Sequence, residues 1–480
     1  MELERLIAAL APMHVARRAP VEISELAYDA GAVEAGVLFF CVPGSRFDGH
    51  DFAAEAVERG AAALIVEREL ELEVPQLVVP DARGAMAVAA GEFFGHPTRE
   101  LEIAGVTGTT GKTTTAFLLY SILAAAGRRP GLLGTIECRV GGERRPAIRT
   151  TPEAIDLQRA FREMLDAGDR SCTMEATSHG SALGRLAGTR FAVLAFTNLT
   201  PEHLDFHGTM EEYYAAKRRL FVGPEPPPAA VNVGDGYGRE LAEELEAAGR
   251  APLVTFGFAD DADVRPEDLE LGPDGATFRA AGLELRARLR GRFNVENVLC
   301  AVAAARLLGI DDEAIVAGVE HLRGVPGRFE AVDEGQPFAV IVDYAHKPEA
   351  LASVLAAARD LVPGRVLCVF GCGGDRDREK RPVMGRIAAE RADIAIVTTD
   401  NPRSEQPEVI IAEVLAGAPD LEVEPDRATA IARAIELARE DDVVVIAGKG
   451  HEQGQEFDGR VLPFDDREVA REALRSLARA

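Results

Sequence analysis

Residues 105–115 read GVTGTTGKTTT. An apolar run, LEIA at 101–104, comes before this stretch, and a helix-like run from Ala116 to Ala126 comes after it. The order of strand, glycine loop and helix is the layout of a phosphate-binding loop, because backbone N–H groups at a helix N-terminus bind phosphate oxygens. The stretch therefore predicts a nucleoside triphosphate site. It leaves open whether the phosphoryl group goes to water, to a protein or to a small acid.

Each residue type in this loop has a chemical use. Gly108 and Gly111 allow backbone N–H groups to close on phosphate without a Cβ in the way. Lys112 supplies a positive charge, and the Thr113 hydroxyl suits Mg²⁺. The general pattern G-x-x-x-x-G-K-[ST] is not matched, since Val106 occupies the position of its first glycine. A glycine-rich turn before a core helix is the alternative interpretation.

Length and charge limit the class of protein. The 480 residues are too many for one ordinary core, and at about 150 residues per domain they predict about three domains. The 79 acidic and 53 basic residues give a net charge of −26, which argues against broad nucleic-acid binding and against binding to an anionic membrane. Anionic small substrates stay compatible with this charge, because local arginines, backbone N–H groups and metal ions can hold them.

The sequence also indicates a compartment. No charged N-terminal region is followed by a long apolar core, and no run reaches the roughly 18 apolar residues that a membrane span needs. Six cysteines are scattered along the chain, and we expect them to be reduced. Cys368 and Cys372 are spaced C-x-x-x-C without a second pair, so a zinc site is not expected. We therefore expect a cytoplasmic protein.

The order of apolar runs predicts an α/β fold of three domains, with Gly- and Pro-containing boundaries near residues 95–99 and 324–330. Residues 1–98 are predicted to form a smaller α/β domain. Residues 99–325 alternate apolar runs with helical stretches, which predicts a mostly parallel sheet of the P-loop type covered on both faces. Residues 326–480 repeat this rhythm and predict a Rossmann-like open sheet.

Two predicted strand ends supply candidate metal ligands. Glu175 ends a strand in MEATSHG, and His203 follows the next strand in FTNLTPEHLDFHG. Strand ends on the edge that carries the phosphate loop can converge on one Mg²⁺. Histidine is an unusual Mg²⁺ ligand, so a hydrogen-bonded loop histidine is the alternative. Asn198 is placed to orient a water or a phosphate.

Lys217 lies in the helical stretch EEYYAAKRRLF. A solvated helix lysine is one interpretation, but the neighbouring aromatic and apolar residues also favour partial burial. A buried lysine can lose its proton. A neutral amine can then take up CO₂ and become a carbamate, which would turn a cation into an anionic metal ligand.

The last predicted sheet carries polar clusters beyond its strand ends. Asp400-Asn-Pro-Arg403 is a turn with a guanidinium suited to a bidentate contact with a carboxylate. Arg376 and Glu452 follow other strand ends. Two arginines and one glutamate suit a zwitterionic amino acid, with its carboxylate on arginine and its ammonium on glutamate. Surface charges in loops are the alternative for any one of these residues.

Taken together, these motifs resemble those of the Mur ligases, in the same order and over essentially the whole chain. The motifs are GTTGKTT, MEATSH, FTNLTPEHLDFHG, YYAAKRRLF, GRFNVENVLCA, GVPGRFE and VDYAHKPEAL. The sequence DNPR at 400–403 is similar to the motif by which the meso-diaminopimelate-adding members select that amino acid over L-lysine. The resemblance is therefore to the members that add the third peptide residue.

The resemblance implies a reaction. The γ-phosphate of ATP would go to the free D-glutamyl carboxylate of UDP-N-acetylmuramoyl-L-alanyl-D-glutamate. An amine of meso-diaminopimelate would attack the acyl phosphate, and a tetrahedral intermediate would collapse to amide and phosphate. This is a step of peptidoglycan precursor synthesis. The implied cofactors are ATP, Mg²⁺ and a lysine carbamate at position 217, and we expect a monomer that binds neither nucleic acid nor membrane.

The resemblance also assigns roles by position. The ATP site would consist of Gly108, Thr109, Thr110, Gly111, Lys112, Thr113, Thr114, Asn294 near the adenine, Arg328 on phosphate and Asp343 on the ribose. The metal ligands would be Thr113, Glu175, His203 and carbamylated Lys217, and the catalytic residues Lys112, Lys217, Glu175 and His203. The muramoyl-peptide substrate would contact Thr150, Thr151, Thr177 and Arg185. The diaminopimelate pocket would consist of Arg376, Asp400, Asn401, Pro402, Arg403, Gly448 and Glu452.

The first domain resembles the part of the family that binds the UDP end, through FFCVPGSRFDGHDF at 39–52. The sequence departs from the family at three positions: Ala30 lies where a serine is usual, Thr177 replaces the commoner serine, and Leu183 lies where several relatives have glutamine. The alternatives are an L-lysine-adding form, another Mur or folylpolyglutamate-type ligase, a P-loop ATPase acting on a protein partner, and a nucleotide-binding module without turnover.

Overall fold

A computed structural model describes residues 1–44, 47–272 and 274–479. Ser45 and Arg46, which belong to the predicted UDP-binding segment, lie outside the described residues. The chain forms two compact units. The first comprises Met1–Arg265 and Leu299–Gly318, and the second comprises Pro266–Val298 and Val319–Ala480.

The first unit begins with a five-stranded sheet of order β1-β5-β4-β3-β2, in which only β1 runs antiparallel to its neighbour. The strands are β1 His14–Ala16, β2 Glu25–Ala27, β3 Val37–Phe40, β4 Ala63–Val66 and β5 Gln76–Val78. The helices are α1 Leu3–Leu10, α2 Ala53–Glu58 and α3 Ala82–Phe93, with short 3₁₀ turns at Ala30–Ala32, Gly49–Phe52 and Pro97–Arg99. Buried aliphatic and aromatic residues cover both faces of this sheet.

An eight-stranded sheet follows in the first unit, with the order β13-β12-β11-β6-β10-β7-β8-β9. It is parallel from β13 to β7, and β8 and β9 add an antiparallel edge. Its strands are β6 Glu102–Thr107, β7 Pro130–Leu133, β8 Glu137–Val140, β9 Glu143–Pro146, β10 Ser171–Glu175, β11 Phe191–Phe196, β12 Ala229–Asn232 and β13 Leu253–Phe256. Its helices are α4 Lys112–Ala125, α5 Ala154–Asp166, α6 Ser178–Ala182, α7 Leu204–His207, α8 Met210–Arg218 and α9 Gly236–Ala248.

The central position of β6 decides where the first unit places its polar loops. β6 lies between β10 and β11, with Glu175 opposite Val106 and Phe196 opposite Thr107. The three strands run in the same direction, so their carboxyl ends meet at one edge. The phosphate loop, the MEATSHG segment and the FTNLTPEHLDFHG segment therefore all leave the sheet at that edge.

The second unit contains an antiparallel sheet of β14 Glu267–Gly272, β15 Gly275–Ala280 and β16 Leu283–Ala287. A six-stranded sheet follows in the order β17-β18-β22-β19-β20-β21, parallel except for β17, and β23 and β24 form a separate hairpin. The strands of the six-stranded sheet are β17 Glu330–Ala331, β18 Ala339–Asp343, β19 Val366–Phe370, β20 Ile394–Val397, β21 Glu422–Val423 and β22 Val443–Ala447. The hairpin consists of β23 Gly454–Phe457 and β24 Arg460–Pro463. The helices of this unit are α12 Pro348–Leu361, α13 Lys380–Arg391, α14 Pro407–Leu415, α15 Arg427–Leu437 and α16 Asp466–Leu477. Helices α10 Arg292–Leu307 and α11 Asp312–His321 contain two of the three points at which the chain passes from one unit to the other.

The predicted fold class is confirmed, because both large sheets are mostly parallel and carry helices between their strands. The helix after the phosphate loop begins at Lys112, four residues before the predicted apolar run, since the polar Thr113–Thr115 stretch is its buried first turn. Within the described residues no helix combines the length and the apolar character that a membrane crossing requires. The domain limits at 98 and 325 stay a prediction.

Candidate active site

The phosphate loop is held in a conformation that only glycine tolerates at Gly108. Its φ is +142°, and a Cβ there would lie 1.9 Å from Oγ1 of Thr197. Lys112, the first residue of α4, donates from Nζ to the carbonyl oxygens of Gly108 at 2.9 Å and of Thr109 at 2.8 Å. The Lys112 side chain therefore folds back onto the backbone of the phosphate loop, at the N-terminus of a 14-residue helix.

The segment after β11 fixes the loop from the other side. Asn198 accepts the backbone N–H of Thr110 at 3.0 Å through Oδ1, and its carbonyl oxygen accepts the N–H of Thr109 at 2.8 Å. Thr197 donates its hydroxyl to the carbonyl oxygen of Thr110 at 2.7 Å. Asn198 therefore orients the loop itself, and its predicted role toward a water or a phosphate stays a prediction.

Glu175 lies buried beside the start of α4, with 1% of its surface exposed. Thr113 donates its hydroxyl to Oε2 at 3.0 Å. Thr135 donates its backbone N–H to Oε1 at 2.7 Å and its hydroxyl to Oε2 at 3.1 Å. Thr135 follows β7 in no recognisable motif, so sequence reasoning missed it. The hydroxyl of Thr113 and the carboxylate of Glu175 are oxygen donors of the kind that Mg²⁺ prefers.

Lys217 is buried on α8, with 1% of its surface exposed, so the alternative of a solvated helix lysine is wrong. Its Nζ donates to the carbonyl oxygen of Gly108 at 2.7 Å and lies 4.7 Å from the ring centre of Tyr213. Burial, and secondarily the charge of Lys112, lowers the pKa of Lys217 well below its usual value. Lys112 and Lys217 thus donate to the same carbonyl oxygen of Gly108, and the lowered pKa of Lys217 favours its neutral form.

His203 occupies the left-handed region, with φ +58°, just before α7. Its ring centre lies 4.5 Å from that of His179 and 6.3 Å from that of Tyr213, the ring that Lys217 also contacts. Among the described residues, no set of three or more His, Cys, Asp and Glu side chains is arranged to hold a metal. The structure therefore brings Thr113 and Glu175 into contact, and the four-residue metal site stays a prediction.

The predicted muramoyl-peptide contacts form one hydrogen-bonded group that begins at Glu175. Thr151 donates its hydroxyl to the Glu175 carbonyl oxygen at 2.8 Å, and Thr177 donates its hydroxyl to Oγ1 of Thr151 at 2.9 Å. Arg185 donates from Nη1 to the carbonyl oxygen of Thr151 at 3.1 Å. The hydroxyls of Thr135 and Thr150 lie 3.1 Å apart. All four predicted residues thus lie in a continuous network with the phosphate loop.

Glu153 organises three arginines beside this group, and sequence reasoning missed it. Its buried carboxylate accepts hydrogen bonds of 2.8 Å from Arg83 and from Arg149. Nε of Arg185 lies 2.9 Å from Oε1, an ion pair without hydrogen-bond alignment. Three guanidinium groups around one carboxylate leave positive charge for an anionic substrate. The only sequence signal was that Glu153 follows the RTTP run.

A cavity of about 490 Å³ lies beside Tyr28 and Asp29, while the role of the 39–52 segment at the UDP end stays a prediction. Tyr28, Asp29, Asp156 and Arg159 contribute to its lining. Tyr28 donates its hydroxyl to Oδ2 of Asp156 at 2.7 Å. Ala30, where the family has a serine, is buried.

In the second unit, Asp343 ends β18 and is buried, with carboxylate oxygens accepting the N–H groups of Phe329 at 2.7 Å and of Ala345 at 2.8 Å. Burial raises the pKa of Asp343, although the nearby charge of Arg328 opposes this shift. Asn294 donates its amide to the carbonyl oxygen of Arg290 at 2.8 Å near the start of α10. The structure brings Asp343 and Arg328 together, and their contact with ATP stays a prediction.

Arg328 and His451 each place a buried nitrogen beside the Tyr344 ring. The Arg328 guanidinium lies 4.7 Å from the ring centre of Tyr344, and the His451 ring lies 5.1 Å from the same ring. Nε of Arg328 and Nδ1 of His451 have no hydrogen-bond partner within the described parts of the chain. Gly327 lets its own backbone lie close to that of His451, since a Cβ at this position would lie 2.1 Å from the His451 backbone nitrogen.

The predicted amino-acid pocket is organised by Lys449, which sequence reasoning passed over within the run GKGHE. Its Nζ lies 2.9 Å from Oδ1 of Asn401, 3.3 Å from Oε2 of Glu452 and 3.5 Å from Oδ1 of Asp400. Asn401 also donates its amide to Glu452 at 2.8 Å. Gly448, with φ +118°, lies against the Asp400 carboxylate. A fully buried ammonium therefore joins three of the predicted residues.

Arg403 and Arg376 lie beside the same loops. Arg403 has φ +53°, donates from Nη1 to the carbonyl oxygen of Gly374 at 2.6 Å, and is about one quarter exposed. Arg376 is exposed, and a Cβ on Gly373 would lie 3.0 Å from Nη1 of Arg403 and 4.0 Å from Cγ of Arg376. Pro402 places its carbonyl oxygen against Gly374. The structure thus gathers the DNPR turn, Arg376, Gly448 and Glu452 at one sheet edge.

Replacing Lys449 by methionine is expected to lower the free energy of unfolding by about 3 kcal/mol. The substitution keeps a long side chain but leaves Asp400 and Glu452 without their buried counter-ion. Denaturant unfolding of the full chain measures this change. Arg475→Met, which breaks a more exposed pair with Glu334, is the control and should cost less than about 1 kcal/mol. Equal effects of the two substitutions would show that Lys449 is not a structural counter-ion.

Three family models match this chain, and all three describe domains of the same family. The model of the Mur ligase middle domain matches residues 106–305, that of the Mur ligase glutamate ligase domain matches 327–450, and that of the Mur ligase family catalytic domain matches 22–98. The chain therefore belongs to the Mur ligase family.

Two curated relatives and one solved structure carry the same name. The UDP-N-acetylmuramoyl-L-alanyl-D-glutamate–2,6-diaminopimelate ligase of Solibacter usitatus is 47% identical, over 95% of this chain and 94% of that protein. The ligase of the same name from Geobacillus thermodenitrificans is 44% identical over 99% of both. A solved structure of a ligase of this name is similar with a TM-score of 0.70 and 33% identity, over 95% of each chain.

Proposed function

We propose that this protein is an ATP-dependent ligase that joins meso-diaminopimelate to UDP-N-acetylmuramoyl-L-alanyl-D-glutamate in peptidoglycan precursor synthesis. One observation supports this above the others. The hydroxyl of Thr113, at the phosphate loop, is linked through Glu175 to Thr150, Thr151 and Thr177 by hydrogen bonds of 2.7–3.1 Å. A phosphoryl donor and an acceptor carboxylate bound to these groups would therefore lie side by side.

The chemistry follows from the poor reactivity of a carboxylate. A carboxylate oxygen takes the γ-phosphoryl group, ADP leaves, and the acyl phosphate gains a leaving group. The amine attacks the carbonyl carbon, and the tetrahedral intermediate expels phosphate and loses the amine proton. The protein mainly aligns the reactants and neutralises charge. Lys112 and the loop N–H groups hold the phosphates, and Arg185 with its neighbours holds the peptide acid.

The magnesium site would use Thr113, Glu175, His203 and carbamylated Lys217. The contact between Thr113 and Glu175 at 3.0 Å supplies two oxygen donors that fit the ion. When bound, Mg²⁺ neutralises charge on the phosphoryl oxygens. The buried, low-pKa amine of Lys217 fits carbamate formation, because only a neutral amine adds to CO₂.

The amino-acid pocket would bind diaminopimelate through opposite charges. Arg403 and Arg376 offer guanidinium groups for carboxylates, and Glu452 offers a carboxylate for an ammonium group. L-Lysine lacks the second carboxylate, so the DNPR turn would favour diaminopimelate over it. The protein would act as a cytoplasmic monomer.

Replacing Arg403 by alanine is expected to raise the KM for diaminopimelate by about 10- to 150-fold. This corresponds to the loss of a charge-assisted contact of about 1.5–3 kcal/mol. The KM for ATP should change little. Steady-state assays with each substrate varied in turn measure the difference. An equal rise in both KM values would count against a contact between Arg403 and the amino acid.

Incorporation assays with diaminopimelate and L-lysine side by side test the proposed function. Turnover of ATP should require both the UDP-linked dipeptide and diaminopimelate. Preferred use of lysine would support the lysine-adding alternative. Turnover without the UDP-linked dipeptide would support an ATPase that acts on a protein partner, and no turnover at all would support a nucleotide-binding module.

A further inference from the structure

The β23–β24 hairpin binds the DNPR turn along its length. Its two-residue turn, Asp458-Gly459, has positive φ at both positions, as a tight hairpin requires. Gln455 donates its amide to the carbonyl oxygen of Thr399 at 3.2 Å. Asp458 donates its N–H to the carbonyl oxygen of Arg403 at 2.7 Å. The hairpin is thus continuous with the proposed amino-acid pocket.

Glu456 is the residue of this hairpin that makes the most contacts with the turn. Its N–H donates to Oδ1 of Asn401 at 3.1 Å, and its carbonyl oxygen accepts the N–H of Arg403 at 3.0 Å. Its carboxylate oxygen Oε2 lies 3.2 Å from Nε of Arg403. The left-handed backbone of Arg403 costs free energy for a residue other than glycine. The hairpin therefore stabilises the unfavourable backbone conformation of Arg403. It also contacts the Arg403 side chain, whose direction depends on that backbone conformation.

Among the described residues, these contacts leave Nη2 of the Arg403 guanidinium available. A guanidinium can bind a carboxylate side-on, through Nε and Nη2, or end-on, through Nη1 and Nη2. The Glu456 carboxylate lies near Nε, at one end of the side-on edge, as an ion pair without hydrogen-bond alignment. Gly374 accepts one hydrogen of Nη1, and within the described residues no acceptor is hydrogen-bonded to Nη2, which therefore keeps one hydrogen for each of the two edges.

We propose that Glu456 is a specificity-determining positioning residue, which holds Arg403 in place to bind the second carboxylate of the amino acid. This inference rests on the proposed function. Glu456 acts through Arg403 and has no contact of its own with the substrate. An amino acid without that carboxylate gains nothing from the arrangement, so Glu456 contributes to the preference for diaminopimelate over L-lysine.

Glu456→Ala should raise the KM for diaminopimelate about 3- to 10-fold, the effect of one hydrogen bond or partly exposed ion pair. The kcat and the KM values for ATP and for the UDP-linked dipeptide should stay within about twofold of wild type. Glu456→Asp retains a carboxylate for this ion pair and should recover part of the loss, whereas the neutral Glu456→Gln should recover less. Glu334→Ala, which removes the carboxylate paired with Arg475, is the matched control and should change no KM.

The double variant Glu456→Ala with Arg403→Ala separates positioning from a general structural effect. If Glu456 acts through Arg403, it adds no further rise in the KM for diaminopimelate once Arg403 is gone. An unchanged or lowered KM in Glu456→Ala, the same relative rise in the Arg403→Ala background, or an equal rise in the KM for ATP would each overturn the inference. A wild-type protein that does not use diaminopimelate would instead refute the proposed function.

Discussion

Replacing Lys217 by alanine is expected to reduce amide formation by about 10²–10³-fold, the scale seen when one charge-stabilising group is lost from a preorganised site. The amine is buried on α8 and donates to the carbonyl oxygen of Gly108 at 2.7 Å, inside the phosphate loop. An unpaired ammonium at such a position is costly. We therefore expect the folded protein to tolerate the loss of the amine better than the reaction does.

The pKa of Lys217 explains why the effect should exceed that of a lost hydrogen bond. Burial and the charge of Lys112 lower the pKa, so the neutral amine is populated at a lower pH than for an exposed lysine. The neutral amine can add to CO₂, and the resulting carbamate would carry a negative charge next to the phosphates and the proposed metal ligands. Alanine removes both the amine and that charge.

Three measurements test the role of Lys217. Wild-type protein in ¹³C-bicarbonate should show a carbamate signal that Lys217→Ala lacks. Acetate or propionate should partly restore the alanine variant, because a small carboxylate can replace the missing anion. Lys217→Met, which fills the same space without an amine, should be inactive and respond less to these anions. Wild-type turnover in the alanine variant would rule out the carbamate role.

The fold could be predicted where hydrophobic pattern and strand order determine it. The apolar runs IAGVT, CTMEAT and FAVLAFTN contain most or all of β6, β10 and β11, since a parallel sheet buried on both faces needs nearly continuous apolar strands. The antiparallel additions β8, β9 and β14–β16 were not predicted. Exposed residues such as Glu143–Pro146 lack that pattern, and their pairing depends on neighbours that only the folded chain provides.

The candidate site could be predicted where a motif fixes both residue type and local geometry, as at Gly108 and in the DNPR turn. Lys449, Glu153 and Thr135 were missed for a common reason. Each acts through partners distant in sequence: Lys449 contacts Asn401, 48 residues away, and Arg83 reaches Glu153 across 70 residues. Spacing along the chain carries no sign of such contacts.

Replacing Glu175 by glutamine is expected to reduce turnover by about 10²–10³-fold and to raise the Mg²⁺ concentration needed for half-maximal activity. The carboxylate is buried and accepts three hydrogen bonds, two from Thr135 and one from Thr113. Glutamine keeps the volume of the side chain but loses its charge, and one of its two ends can no longer accept. Kinetic titration with Mg²⁺ at saturating ATP measures the shift.

A structural effect of this substitution can be separated from loss of the ion. Thr135→Val removes one hydroxyl donor to Glu175 and keeps the carboxylate, so it should lower stability by about 1 kcal/mol and leave the Mg²⁺ requirement within a few-fold of wild type. Glu175→Gln should do the reverse, since its charge contributes more to cation binding than to packing. If both variants shift the Mg²⁺ requirement equally, Glu175 acts by holding Thr113 and Thr135 in place. A direct role as a metal ligand would then be wrong.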